Sequence, residues 1–135
     1  MKPPEEALKD LVRQWIAKAD DDFQLAGKLL EEREFLSAAG FHSQQSTEKY
    51  LKAFLVAHQI DFRKTHNIGE LLDMVEKIDS ELSRFLDKAI ILNPYGVDVR
   101  YPGDIPDVNL EDATEAVEIA RKVRITILKL IAPGD

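Results

Sequence analysis

Apolar residues recur at steps of three and four along nearly the whole chain, and this period predicts helices throughout. From about Glu5 to Glu32, Leu11, Trp15, Ala19, Phe23, Ala26 and Leu30 fall on one line, as in a long amphipathic helix. Arg33-Glu34-Phe35 reads as a short connection, and a second helix is expected from about Leu36 to Gln59. After a loop through Thr65, a third, shorter helix starts near Asn67. Asn67 with Glu70 three residues on resembles a capping box, and Ile68, Leu71, Leu72 and Val75 form its apolar face. Asp79-Ser80 restarts a fourth helix with Leu82, Phe85, Leu86, Ala89 and Ile90 on one side. Asn93-Pro94 breaks it, and the stretch from Asn93 to Asn109, rich in proline and glycine, reads as a long loop. Asn109 then caps a final helix whose core face is Ala113, Ala116, Val117, Ala120, Val123, Ile127 and Leu130. No strand pattern, internal repeat or sustained heptad run interrupts this reading. The expected fold is all-α: an antiparallel up-and-down bundle of four to five helices, one domain over residues 1–135, with the 93–109 loop as a functional segment.

The second helix carries more polar chemistry than a core helix needs. At 100° per residue, His42, Gln45, Lys49 and Lys52 lie within about 80° of arc and make one polar stripe. Phe41, Gln44, Glu48, Leu51, Phe54 and Leu55 form the adjoining face. Ala39, Ser46, Tyr50, Ala53 and Ala57 form a third, of mostly small residues that let another helix approach. The stripe either opens toward a groove or partner or is a solvated face. Gln44 and Glu48, four residues apart amid apolar neighbours, can bond each other or an adjacent helix as structural glue.

Two further segments hold candidate chemistry. Arg63, Thr65 and His66 precede the third helix, where backbone N–H groups favour anions and an imidazole titrates near neutral pH. The bland alternative is a solvated arginine with His66 as a local cap. The long loop holds Tyr95, Arg100, Tyr101 and Asp104. Arg with Tyr suits stacking on a base and gripping a phosphate, and equally suits a protein interface. Asp20-Asp21-Asp22 point in different directions on a helix, make a poor metal cage and read as a solvated face.

Composition narrows the classes. The chain has 135 residues, 44% of them hydrophobic and 32% charged, as in a globular domain. No apolar run approaches the roughly 20 residues of a membrane span, and Met1-Lys2-Pro3-Pro4 opens no signal-like apolar stretch. The absence of cysteine removes disulfides, thiol nucleophiles and thiolate metal sites and fits a cytoplasmic location. A net charge of −7 argues against a broad nucleic-acid surface. The window from His42 to His66 nevertheless carries +2 and all three histidines, leaving −9 for the remainder. No Gly-rich phosphate loop, dinucleotide fingerprint or His-Glu-x-x-His pattern occurs; no cofactor and no metal are expected.

The run from Ala38 to Leu55 (AAGFHSQQSTEKYLKAFL), then Thr65-His66-Asn67 leading into Leu71-Leu72, then Arg100-Tyr101-Pro102-Gly103 before the last helix, resembles a HEPN domain (higher eukaryotes and prokaryotes nucleotide-binding) from about Trp15 to Ile131. The resemblance implies a helical bundle that forms homodimers. It also implies a minimal nucleotidyltransferase as partner, in a pairing like that of toxin and antitoxin. On this basis a groove for a nucleotide or RNA phosphate is expected among His42, Gln45, Lys49, Lys52, Arg63, His66, Arg100 and Tyr101. Arg100 and Lys49 would meet phosphate, Tyr101 would stack, and His42 or His66 would hydrogen-bond the ligand. Many relatives are metal-independent ribonucleases with an Arg followed four to six residues later by a His. Here Arg63 and His66 are closer and no His follows Arg100, so the chain departs from that motif. The enzyme alternative has His66 or His42 as general acid–base and Arg100 as stabiliser of the transition state, with His66 and Arg100 as the catalytic pair. A third alternative is a partner scaffold without ligand.

Overall fold

Two long helices form a hairpin that organises the chain. A computed structural model describes residues 4–62, 64–96 and 107–131. Helix α1 (Pro4–Glu32) returns as α2 (Leu36–Ala57), followed by α3 (Ile68–Glu76), α4 (Ser80–Phe85), a 3-10 helix (Asp87–Gly96) and α5 (Leu110–Ile131). Among the described residues there is no strand, and no helix is long and apolar enough to cross a membrane. The all-α bundle expected from the sequence is the observed architecture.

Neither end of the hairpin uses glycine to stop its helix. Arg33 takes the left-handed conformation with φ 58°, its N–H bonding Leu30 O at 3.0 Å while Glu34 N–H bonds Leu29 O at 3.3 Å. Gln59 repeats the device with φ 57°: its N–H reaches Val56 O and Ile60 N–H reaches Leu55 O, both at 2.9 Å. Both are the paired bonds of a Schellman motif. The second explains why α2 ends at Ala57, two residues before the expected Gln59. The other helix starts follow their caps. Asn67 Oδ1 accepts from Glu70 N–H, Asp79 Oδ1 from Leu82 N–H, and Asn109 Oδ1 from Asp112 N–H at 2.7 Å.

Helix α2 is the centre of the bundle, packing on α1, α3, the 3-10 helix and α5. Its Tyr50, Leu51, Phe54 and Leu55 join Ile68, Leu71, Leu72 and Val75 of α3 and Ala116, Val123 and Ile127 of α5 in the core. Each large apolar side chain buried there contributes about 1.5–3 kcal/mol. The expected faces differ in places: on α1 Leu11 is exposed and Val12 is buried instead. α4 stops at Phe85 and the chain tightens to three residues per turn, so Leu86, Ala89 and Leu92 are buried while Phe85 and Ile90 are exposed. The 3-10 helix also takes Asn93–Gly96, which the sequence reading assigned to the long loop. On α5 the expected core face is buried except Leu130, which is exposed.

Glycine is required where the 3-10 helix meets α2. A Cβ on Gly40 would run into the Tyr95 ring, and one on Gly96 would lie 2.7 Å from Gln44 Cδ. These two contacts seat the end of the 3-10 helix on the most polar part of α2.

Candidate functional site

Gln44, Glu48 and Lys52 occupy successive turns of α2, and all three are buried. A carboxylate taken out of water needs partners, and Glu48 has three among the described residues. Lys52 Nζ lies 2.6 Å and His66 Nδ1 2.8 Å from Glu48 Oε1, and Gln44 Nε2 donates to Oε2 at 3.3 Å. Gln44 Nε2 also donates to the His66 backbone carbonyl at 3.1 Å, and Gln45 Nε2 donates to Gln44 Oε1 at 2.7 Å. The Lys52 ammonium sits 5.6 Å from the Trp15 ring centre and 5.7 Å from that of Phe62, with the two rings edge to face. His66 itself is 78% exposed. The arrangement therefore presents one imidazole to solvent on a buried, fully bonded carboxylate.

The start of α3 is closed by its own contacts. Asn67 N–H goes to Thr65 Oγ1, Ile68 N–H to Asn93 Oδ1 at 2.9 Å and Glu70 N–H to Asn67 Oδ1. Thr65 Oγ1 donates in turn to Glu70 at 2.6 Å. Three of the N–H groups that could meet an anion at this helix start, those of Asn67, Ile68 and Glu70, are thus taken up by Thr65, Asn93 and Asn67. His66 is not the cap; Asn67 is.

A second carboxylate centre lies between α1 and α2. Asp22 accepts from His42 Nδ1 at 2.9 Å and from Lys49 at 2.5 Å. Its neighbour Asp20 accepts from the Tyr50 hydroxyl and from Arg124 Nε at 3.1 Å, tying α1 to α2 and α5. Burial, then the hydrogen bond to Asp20 and that residue's charge, push the Tyr50 hydroxyl well above the usual tyrosine range, against a smaller opposing pull from Arg124. The Asp20–Asp22 run is therefore not a solvated face. Two of its three carboxylates fasten the bundle, and only Asp21 is exposed.

The polar stripe of α2 divides between these centres. His42 and Lys49 turn to Asp22, while Gln45 and Lys52 turn to the Gln44–Glu48 network beside His66. Arg63, Arg100 and Tyr101 lie outside the described residues. Sequence reasoning treated Glu48 as glue on the adjoining face; the overlooked signal is the ladder Gln44, Glu48, Lys52 at four-residue steps beside Leu51, Phe54 and Leu55. Among the described residues no group of three or more His, Cys, Asp or Glu side chains could hold a metal ion. A pocket of about 490 Å³ at the far end of the hairpin, lined by Leu8, Val12, His58 and Leu130 among others, contains none of the candidate residues.

The sequence matches the family model described as HEPN domain over residues 12–130. The fold is similar to the crystal structure of TT1696 from Thermus thermophilus, with a TM-score of 0.71 and 25% identity, covering 87% of this chain and 96% of that one. No curated protein matches the chain.

Proposed function

The chain belongs to the HEPN domain family, and from that premise we propose that it is a nucleotide-binding module whose ligand meets the exposed edge of His66. The observation that supports this reading is the solvent-facing His66 imidazole held by the buried Glu48–Lys52–Gln44 network. Such a ring, fixed in both backbone and side chain, is a pre-organised contact rather than a mobile surface residue. Lys52 and Lys49 already have carboxylate partners. Phosphate binding is therefore assigned in this proposal to Arg63 and Arg100, with Tyr101 stacking on the base. Gln45 donates to Gln44, the side chain that holds the His66 carbonyl. Calorimetric titration of AMP and of a short single-stranded RNA tests it. The wild type binds and His66→Ala and Arg100→Ala lose most of the affinity; equal affinity in all three proteins defeats the reading.

The proposal extends to assembly. A homodimer and a minimal nucleotidyltransferase partner accord with the family, and the exposed Phe85, Ile125 and Leu130 offer apolar surface for a contact. Light scattering of the purified chain, alone and with the candidate partner, tests both.

A second reading has its own supporting observation. A carboxylate-bound imidazole is the arrangement of a general base, and in a metal-independent ribonuclease His66 would take a proton from a ribose hydroxyl while Arg100 stabilised the developing charge. RNA cleavage in EDTA that disappears in His66→Ala would establish it; no cleavage by the folded wild type would leave binding as the function.

A further inference from the structure

The ion pair with Lys52 makes Glu48 the carboxylate, and the direction of each hydrogen bond it receives follows from that. An ionised carboxylate only accepts, so Lys52, Gln44 and His66 must all donate to Glu48. Lys52 supplies the countercharge at 2.6 Å, and the carboxylate needs no charge on His66 to be compensated. The Nδ1–H bond therefore holds whether the ring is neutral or protonated. Gln44, one turn from Glu48, holds the backbone carbonyl of the same histidine. Two side chains of α2 thus fix both the position and the rotation of the ring, although His66 is on a loop and 78% exposed.

We infer that Glu48 is a positioning residue for His66: its buried carboxylate keeps the imidazole proton on Nδ1 and leaves Nε2 facing outward as an acceptor of hydrogen bonds and protons. The inference rests on the proposed ligand site only for what meets Nε2. When the ring is neutral, that atom takes a ligand group bearing a hydrogen, a ribose hydroxyl or a base N–H, and not a phosphate oxygen. Glu48 touches no ligand and acts only through His66.

Nitrogen-15 NMR of the histidine rings tests this directly, with His66 assigned by its absence in His66→Ala. On the alkaline plateau of the titration, the wild-type spectrum should show Nδ1 protonated and Nε2 bearing the lone pair. Removing Glu48 alone would strand Lys52, so the variant is E48L/K52M, in which an apolar pair replaces the ion pair. In it the His66 ratio of Nδ1–H to Nε2–H falls about tenfold, the loss of one charge-assisted bond. The His42 ring, held by Asp22, keeps its spectrum as an internal control. A wild-type His66 protonated on Nε2, or a tautomer ratio unchanged in the variant, overturns the inference. The wild-type spectrum decides by itself if the variant does not fold. Loss of AMP binding would bear on the proposed ligand and not on this measurement, so the two can fail separately.

Discussion

The molecule contains the same trio twice, a carboxylate shared by a lysine and a histidine Nδ1, and uses it in opposite ways. Asp22 with His42 and Lys49 joins two long helices, and all three side chains are partly covered, at 14%, 25% and 25% exposure. Glu48 with His66 and Lys52 is polarised. Its ion pair is almost fully buried, at 3% and 8%, while its histidine is open to solvent on the loop before α3. The first centre directs its polar atoms inward across a helix contact. The second directs one ring outward from a closed network. Under the proposed ligand site, what sets the second trio apart is less its residue types than which member the packing leaves uncovered.

Breaking the two carboxylates should separate them most strongly. Glu48→Ala strands the buried Lys52 ammonium and is expected to cost about 3–5 kcal/mol. Asp22→Ala, whose partners reach water, should cost about 1 kcal/mol. Urea unfolding of both variants measures the difference, and E48L/K52M should recover most of the Glu48→Ala loss. Equal midpoints for the two single variants would remove the distinction between a closed and a half-open centre.

A second way to press on the Glu48 side is through Gly96. An added Cβ would lie 2.7 Å from Gln44 Cδ and 2.9 Å from its Oε1. Gln44 would have to move, releasing Glu48 and the His66 carbonyl. Gly96→Ala is expected to destabilise by about 1–3 kcal/mol, as overpacking does. A thermal melt matching the wild type would mean that Gln44 is not held where it is found.

Asp20, two residues before Asp22, widens the comparison because its partner responds to alkali. The folded chain keeps the Tyr50 proton to a higher pH than the unfolded chain does. Above about pH 10, where an exposed tyrosine ionises, the unfolded state binds fewer protons, and stability falls as pH rises by up to about 1.4 kcal/mol per unit. Tyr50→Phe removes this contribution, so its stability declines less steeply between about pH 10 and 11. Parallel curves for the two proteins would show that Tyr50 ionises alike in both states.

The sequence carried the helices and their caps because those depend on local chemistry: the three- and four-residue period, and Asn67, Asp79 and Asn109 at helix starts. It did not show where α2 stops, because Gln59 takes a conformation that its residue type does not advertise. Nor did it show the switch to three residues per turn after α4, which depends on what Leu86, Ala89 and Leu92 pack against. His66 and Lys52 were visible as candidates, yet their convergence on Glu48 depends on a loop folding back on α2. The division of the stripe between Asp22 and Glu48 was hidden for a related reason: Asp22 belongs to another helix, and only the packing of the hairpin brings it to His42 and Lys49.

The smallest expected effect distinguishes the two histidines. His42 is three-quarters covered, and removing it takes a partner from Asp22, leaving Lys49 among the described residues. His42→Ala should cost up to about 1 kcal/mol. His66 buries little of itself, and Glu48 keeps Lys52 and Gln44 when the ring is gone. His66→Ala should therefore change stability by no more than about 0.5 kcal/mol while abolishing whatever the outward Nε2 does. Denaturation and AMP titration of both variants place each histidine on two axes. The comparison holds if His42 moves stability more than binding and His66 binding more than stability. If both variants behave alike, exposure has not separated the two trios, and the site must be sought among residues that neither trio contains.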